Sequence, residues 1–315
     1  AHTLPVVPGH EGCGNVEEIG KNVTRVKQGD KIALNWAPNC GKCFYCIHSR
    51  PSLCEAYTEL IWDGYLMDGT TRMSIDGKLL YHYCALSCLS EYAVVPEASC
   101  VKMPNEIPDD VAALIGCAVT TGVGSALNTV QISKDDTVAV LGAGGVGLST
   151  IMGAAYAGAS QIISIDIVPE KEIVARNVGA TDFLLSDQDT IKQIKSITNN
   201  RGVDYAFEAV GIPRLQELAF EIVRPGGTLV LSGITPMGSE TNFSGAVLTR
   251  QEKTVKGSYY GTSDTSRDFR NYANLFLAGE LPIDKMISRS YDLDQVNEAY
   301  KDMLAGKGGR GIIRF

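Results

Sequence analysis

The sequence predicts an α/β chain: a doubly wound parallel sheet joined to a β-rich region. Three observations carry that prediction. An apolar run enters a glycine-spaced turn and then a small-residue helix at "TVAVLGAGGVGLST". Beyond it, helix-period segments alternate with short apolar runs, the pattern of strands covered by helices on both faces. Up to about residue 118 the chain is instead loop-rich and carries only short β-like runs.

Taken in order, "GNVEEIG", "DKIALNW", "LSEYAVV" and "ASCVKMP" read as short strands of the β-rich region. The texture changes at "DDVAALIGCAVTTGVGSALNTV", which reads as a helix. "TVAVLGAG" is an apolar strand, the helix after it runs from Gly147 to about Tyr156, and "QIISIDI" is a second apolar strand. "EKEIVARNVGA", "DYAFEAVG" and "GGTLVLSGI" continue the alternation. The C-terminal "YDLDQVNEAYKDMLAGKGGRGIIRF" reads as an amphipathic helix, a glycine-rich turn and a last strand. No internal repeat or low-complexity tract interrupts this order.

With 315 residues, 44% of them hydrophobic, the chain has enough apolar matter for two domains. A net charge of −8 and no clustered Lys and Arg argue against a nucleic-acid partner. No uninterrupted apolar stretch reaches the roughly 18 residues that span a bilayer, so no membrane partner is expected. The start "AHTLPVVPGH" has neither the charged end nor the apolar middle of a signal peptide. The reading is a cytoplasmic enzyme. Nine cysteines, an odd number in a reducing compartment, then call for a use other than disulfides.

Four of the nine fall in "CGKCFYCIHSRPSLC", as Cys40, Cys43, Cys46 and Cys54. A Cys-x-x-Cys turn lets two thiolates converge on one ion, and short gaps fold all four toward one tetrahedral centre. A thioredoxin-like redox pair would open a helix in a βαβ unit and needs no third or fourth cysteine. Four thiolates leave no open coordination position, so the zinc site read here is structural.

Gly142, Gly144 and Gly147 have Gly-x-Gly-x-x-Gly spacing, with Gly145 and Val146 inside the turn. The motif follows an apolar strand and opens a helix, and Asp166 lies 24 residues after Gly142 at the end of the next strand. That context marks a Rossmann dinucleotide site, with the pyrophosphate on the helix N-terminus. Asp166 would accept from the adenine ribose hydroxyls and repel a 2′-phosphate, favouring NAD over NADP.

"PGHEGCGNVEEIGKNV" sets His10 beside Glu11 among glycines, and "LIGCAVTTG" sets Cys117 near the end of the β-rich region. With the two sites above, these motifs resemble the zinc-dependent medium-chain alcohol dehydrogenases, in their class III-like and bacterial branches. Gly9-His10-Glu11-x-x-Gly14-x5-Gly20-x-x-Val23 is similar to that family's zinc signature, and the resemblance runs from "LPVVPGHE" to "GGRGIIRF". It implies a GroES-like catalytic domain over residues 1–118, with the structural-zinc lobe at 40–54. A Rossmann domain over 119–259 and a return to the catalytic domain over 260–315 would follow. His10 and Cys117 then resemble two of three ligands of a catalytic zinc that lowers an alcohol's pKa, with Glu11 behind them. Thr121 and Val146 resemble residues along the nicotinamide, Lys171 one that assists Asp166, and Arg310 one that pairs with the pyrophosphate. Trp36 and Tyr83 match positions of the substrate channel, and plain aromatic core is an equal reading of both. Cys13, Cys84, Cys88 and Cys100 are read as core or surface filler.

The family's third ligand is a cysteine roughly twenty residues ahead of the Gly-His-Glu. This sequence begins eight residues before Gly9, so the reading expects an N-terminally incomplete catalytic domain. The function implied is hydride transfer between a primary aliphatic or aromatic alcohol and NAD, giving the aldehyde, in a homodimer or homotetramer. One alternative is a glutathione-dependent formaldehyde dehydrogenase, which the "MDGTTRMSIDGK" segment resembles. That branch carries an arginine four residues after the last structural cysteine, where this chain has Thr58. The same motifs would also suit a non-catalytic NAD-binding zinc protein, and more weakly a zinc-free reductase.

Overall fold

The computed structural model describes residues 3–57 and 60–315, and Thr58 lies outside the described residues. The β-rich region holds β1 (Val6–Val7), β2 (Cys13–Asn15), β3 (Lys31–Leu34), β4 (Met73–Ile75), β5 (Lys78–His82) and β6 (Cys100–Lys102). They form two small sheets in the orders β1-β5-β4 and β2-β3-β6. Residues 89–95, expected as a strand, join no ladder among the described residues and leave Tyr92 80% and Val94 56% exposed. The β-branched and aromatic pattern is present there, but a strand also needs a partner edge.

A continuous helix follows over Asp109–Thr129, long and apolar enough by composition to cross a bilayer, yet mostly buried within the fold. It is the core helix between the two halves of the molecule. Asp109 and Asp110 occupy its first turn, where carboxylates suit the positive end of the helix. Two wide, π-type turns interrupt it, over Ile115–Val119 and Ser125–Thr129.

The nucleotide-binding half contains β7 (Thr137–Leu141), β8 (Gln161–Asp166), β9 (Asp182–Leu185), β10 (Val203–Glu208), β11 (Val223–Leu231) and β12 (Thr254–Gly257). All pair in parallel, in the order β12-β11-β10-β7-β8-β9. The order reverses between β7 and β10, so a crevice opens beyond their C-terminal ends. The strands bury both faces: Val138 and Val140 join one core, Ala139 and Leu141 the other. The first of these cores continues through the long helix into Ile32, Leu34 and Trp36 of the β-rich region. The expected small-residue helix spans Gly145–Ala157. The C-terminal segment forms the helix Val296–Leu304 and a strand, β14 (Arg310–Arg314), parallel to β13 (Ile287–Asp292).

Candidate active site and zinc lobe

The four lobe cysteines converge as their spacing predicts. Their sulfurs all lie within 4.8 Å of one another, the Cys43 Sγ being 3.5 Å from Cys46 and 3.9 Å from Cys54. Sulfurs at the corners of a tetrahedral zinc–thiolate site stand about 3.8 Å apart for a Zn–S bond of about 2.3 Å. Backbone N–H groups already point at them: Cys43 N donates to the Cys40 sulfur and Cys40 N to the Cys54 sulfur, both at 3.3 Å. The Cys46 N–H is the main influence holding the Cys43 thiol down at about 6, whereas burial pushes Cys54 up to about 12. A divalent ion that displaces the protons suits such a crowded donor set. The residues fit zinc.

The dinucleotide cleft is built by the turn after β7. Gly142 takes φ +97°, a left-handed conformation that favours glycine, and a Cβ on Gly147 would collide with the Gly142 carbonyl. Gly144 caps the Gly145–Ala157 helix and leaves its first N–H groups facing the crevice. Asp166, at the end of β8, accepts from Ala143 N at 2.6 Å and Val168 N at 3.0 Å, and pairs with Lys171 at 3.2 Å. Arg310 packs against Gly145, and its buried Nε has no hydrogen-bond partner among the described residues. An unpaired guanidinium donor above a helix N-terminus fits a pyrophosphate.

The β-rich region delivers His10 and Glu11 to the same crevice. β1 pairs with β5, and the Gly9 carbonyl then accepts from Cys88 N at 3.1 Å, which carries His10 to within 5.4 Å of the Tyr83 ring, centroid to centroid. Leu34 N donates to Gly12 O at 2.9 Å, so the chain beyond β3 brings Trp36 to 6.3 Å from the His10 ring. The long helix approaches through Gly116, where a Cβ would meet the Leu34 carbonyl oxygen at 2.7 Å. Its first wide turn presents Cys117, and Thr121 lies one turn further on, buried. Burial pulls the His10 imidazole below its ordinary range, with Glu11 opposing and Arg310 assisting. Burial, then the Glu11 charge, pushes the Cys117 thiol well up. A neutral imidazole and a thiol that ionises only with a cation at hand are the N and S donors zinc takes.

Glu11 ties the two halves together. Its Oε1 accepts from Ala118 N at 2.8 Å, and its Oε2 pairs with Arg310. The carboxylate therefore faces the nucleotide cleft, and among the described residues no third His, Cys, Asp or Glu gathers with His10 and Cys117. The long helix packs closely on the start of the Gly145–Ala157 helix: a Cβ on Gly122, the residue after Thr121, would collide with the Val146 carbonyl oxygen.

Some residues packed around the candidate site escaped the sequence reading. Trp62, Tyr259 and Tyr260 surround Trp36, with ring centroids at 5.9, 5.7 and 4.6 Å. The paired tyrosines in "SYYG", just past an apolar strand, were the available signal. Ile167 and Ile234 are 74% and 71% exposed beyond β8 and β11, and Val210 touches the Gly142 turn. The Glu11 to Arg310 pairing, 299 residues apart in the chain, has no local signal.

Comparison with known proteins agrees with this architecture. The chain matches the alcohol dehydrogenase GroES-like domain over residues 1–105 and the zinc-binding dehydrogenase domain over 145–278. It is 36% identical to an NDMA-dependent alcohol dehydrogenase of Amycolatopsis methanolica, covering 98% of this chain and 84% of that protein. It is 37% identical to a class-3 alcohol dehydrogenase of Myxine glutinosa, over 99% of this chain and 84% of the relative. The crystal structure of benzyl alcohol dehydrogenase from Acinetobacter calcoaceticus superimposes with a TM-score of 0.92 at 30% identity, covering all of this chain and 85% of that one.

Proposed function

The chain belongs to the zinc-dependent medium-chain alcohol dehydrogenase family, and from that premise we propose that it oxidises primary alcohols to aldehydes with NAD in the cleft between His10, Cys117 and the Gly142 turn. One observation carries the assignment of the site. The Glu11 to Arg310 pair links the segment carrying His10 to an arginine packed on the dinucleotide turn, so an alcohol held by His10 and Cys117 would lie beside that turn.

When bound, zinc supplies a Lewis acid that eases loss of the hydroxyl proton, and NAD supplies the acceptor of the hydride. His10 and Cys117 would hold the catalytic zinc as two of its ligands, and Cys40, Cys43, Cys46 and Cys54 the structural one. Glu11 orients Arg310 and fixes the Ala118 amide beside Cys117. Asp166, with Lys171, reads the adenine ribose and selects NAD. Ile167 and Val210 would flank the adenine of a bound NAD, Gly144 and Gly145 would admit the pyrophosphate, and Thr121 and Val146 would support the nicotinamide. Oxidation removes one proton to solvent and one hydride from the alcohol carbon.

Four of the nine cysteines gather in one lobe suited to a metal, a use of cysteine that fits a cytoplasmic location. The open edge of β12 supports a homodimer or homotetramer, read by light scattering. The deciding experiment follows NADH absorbance with a panel of primary alcohols, for the native chain and for Cys117→Ser. Absence of NADH from every alcohol, in protein carrying zinc, would reject the proposal.

A further inference from the structure

We infer that Glu208 is a positioning residue for the dinucleotide: its buried carboxylate holds the loops after β10 and β11 in the arrangement that keeps Val210 over the Gly142 turn. The inference rests on the nucleotide reading of the cleft and extends it to a residue beneath the cleft surface.

Glu208 is the last residue of β10 and is fully buried. A carboxylate taken out of water needs donors, and a buried one usually has a cation beside it. Among the described residues the donors to Glu208 are amides instead. Its Oε1 accepts from Val210 N at 2.9 Å and Gly211 N at 2.8 Å, and its Oε2 faces Gln216 Nε2 at 3.5 Å. The main-chain carbonyl of Glu208 accepts from Ser232 N and Gly233 N, both at 2.9 Å. One residue thus gathers the chain where it leaves two neighbouring strands.

The two loops touch through their backbones. Gly211 takes φ +86°, and a Cβ on it would meet the Ile234 carbonyl oxygen at 2.3 Å. A Cβ on Gly233 would come within 2.1 Å of Gly211 N and 2.6 Å of Glu208 Oε2, so the carboxylate fills the room beside that glycine. Gln216, buried on the helix Pro213–Ile222, adds a third segment: its Oε1 accepts from Thr241 Oγ1 at 2.6 Å, and its Nε2 faces the Gly233 carbonyl at 3.4 Å.

The gathered loops rim the crevice between β7 and β10. The Val210 side chain lies 2.4 Å from where a Cβ on Gly142 would stand, directly over the first glycine of the dinucleotide turn. Well-packed apolar residues often serve a fold as well as a buried ion, so stability alone does not call for a carboxylate here. What Glu208 adds is a single arrangement for two segments that have no regular structure of their own. Without its acceptor the Val210 and Gly211 amides would turn elsewhere, and the arrangement that admits the dinucleotide would be only a fraction of the population. The apparent dissociation constant rises as that fraction falls. Hydrogen bonds to a charged group are strong enough for a ten- to hundredfold change.

Calorimetric titration of the full chain with NAD, alcohol omitted, reads the number of sites and the dissociation constant separately and without turnover. Glu208→Asp keeps the charge but loses the reach to the two amides, and Glu208→Ala loses both. Each should bind NAD about tenfold more weakly at a full complement of sites. Glu208→Gln keeps an acceptor oxygen of the same reach and should stay within about threefold of the native chain. A native constant in the Asp and Ala variants would overturn the inference. Fewer sites at the native constant, down to none in variants that no longer melt cooperatively, would assign Glu208 to stability alone and overturn it as well. A Gln variant as weak as the Ala variant would show that charge rather than placement matters, and would overturn the positioning role. A native chain that takes up no NAD would reject the nucleotide reading itself, and this inference with it.

Discussion

Asp166→Ser should turn the nucleotide preference from NAD toward NADP. The Asp166 carboxylate, 7% exposed, accepts from Ala143 N at 2.6 Å and Val168 N at 3.0 Å, and sits 3.2 Å from Lys171 Nζ. These partners hold the charge at the point where an adenine ribose arrives. A 2′-phosphate seated there would lie about 4 Å away, where two unit charges at an effective dielectric of about 20 repel by about 4 kcal/mol. Every 1.4 kcal/mol is about tenfold, so the wild-type carboxylate should disfavour NADP by about a thousandfold. Serine removes the charge and frees Lys171 to meet the phosphate. The same change costs NAD a charge-assisted hydrogen bond of about 1.5–3 kcal/mol, a ten- to hundredfold loss of affinity. It also leaves the Ala143 and Val168 amides poorly paired, at a stability cost of about 1–3 kcal/mol. Calorimetric titration of both nucleotides into both proteins gives the ratio, and a melting curve separates folding loss from binding loss. A ratio of NAD to NADP affinity that stays within about threefold of wild type, in a variant that melts cooperatively, would refute the argument.

Elemental analysis of Cys43→Ala should show loss of the lobe zinc, with early proteolytic cleavage within residues 40–54; a variant as protease-resistant as wild type would dismiss a structural metal. The lobe offers only a one-turn helix, Phe44–Ile47, and a short 3₁₀ segment, Pro51–Leu53, too little to persist without its ion. Arg310→Gln should raise the NAD dissociation constant by at least about tenfold, through loss of a charge-assisted contact, and unchanged affinity would detach Arg310 from the pyrophosphate. Stability should fall between pH 7.5 and 5.5, because burial lowers the pKa values of His10 and His82 from the ordinary 6.5. The sign follows from proton uptake: below about 6.5 the unfolded chain binds protons that the folded chain refuses, so stability is complete above that pH and is lost as pH falls. Urea midpoints read at both pH values test this. His82→Gln should flatten the slope, and an identical midpoint at both would exclude the buried imidazoles as its source.

Local signals account for what the sequence disclosed. The Gly-x-Gly-x-x-Gly turn, the two strands flanking it and Asp166 lie within one stretch of chain, so their geometry is dictated by neighbours: Gly147 must be glycine because the Gly142 carbonyl occupies the space of a Cβ. The four-cysteine lobe is local in the same way, with backbone N–H groups of residues 40 and 43 aimed at sulfurs inside the lobe. The segment 89–95 shows the converse, since its alternation is strand-like but pairing depends on an edge that no pattern within the segment encodes. The aromatic cluster around Trp36 was only half visible. Trp36 and Tyr83 stood near recognisable motifs, whereas Tyr259 and Tyr260 arrive from the far end of the nucleotide sheet, and their approach to Trp36 is set by tertiary packing.

The least legible feature, the pairing of Glu11 with Arg310, organises the site most broadly. Each partner alone has a local role: Glu11 accepts the Ala118 amide next to Cys117, and Arg310 lies on Gly145 at the dinucleotide turn. Together they connect the strand end that carries His10, the helix that carries Cys117 and the last strand of the chain. A nucleotide phosphate that draws on the Arg310 guanidinium would weaken its hold on Glu11, and Glu11 is the charge that opposes burial in setting the His10 imidazole. Occupancy of the nucleotide cleft should therefore be felt at the histidine as well as at the arginine, through the carboxylate that faces both.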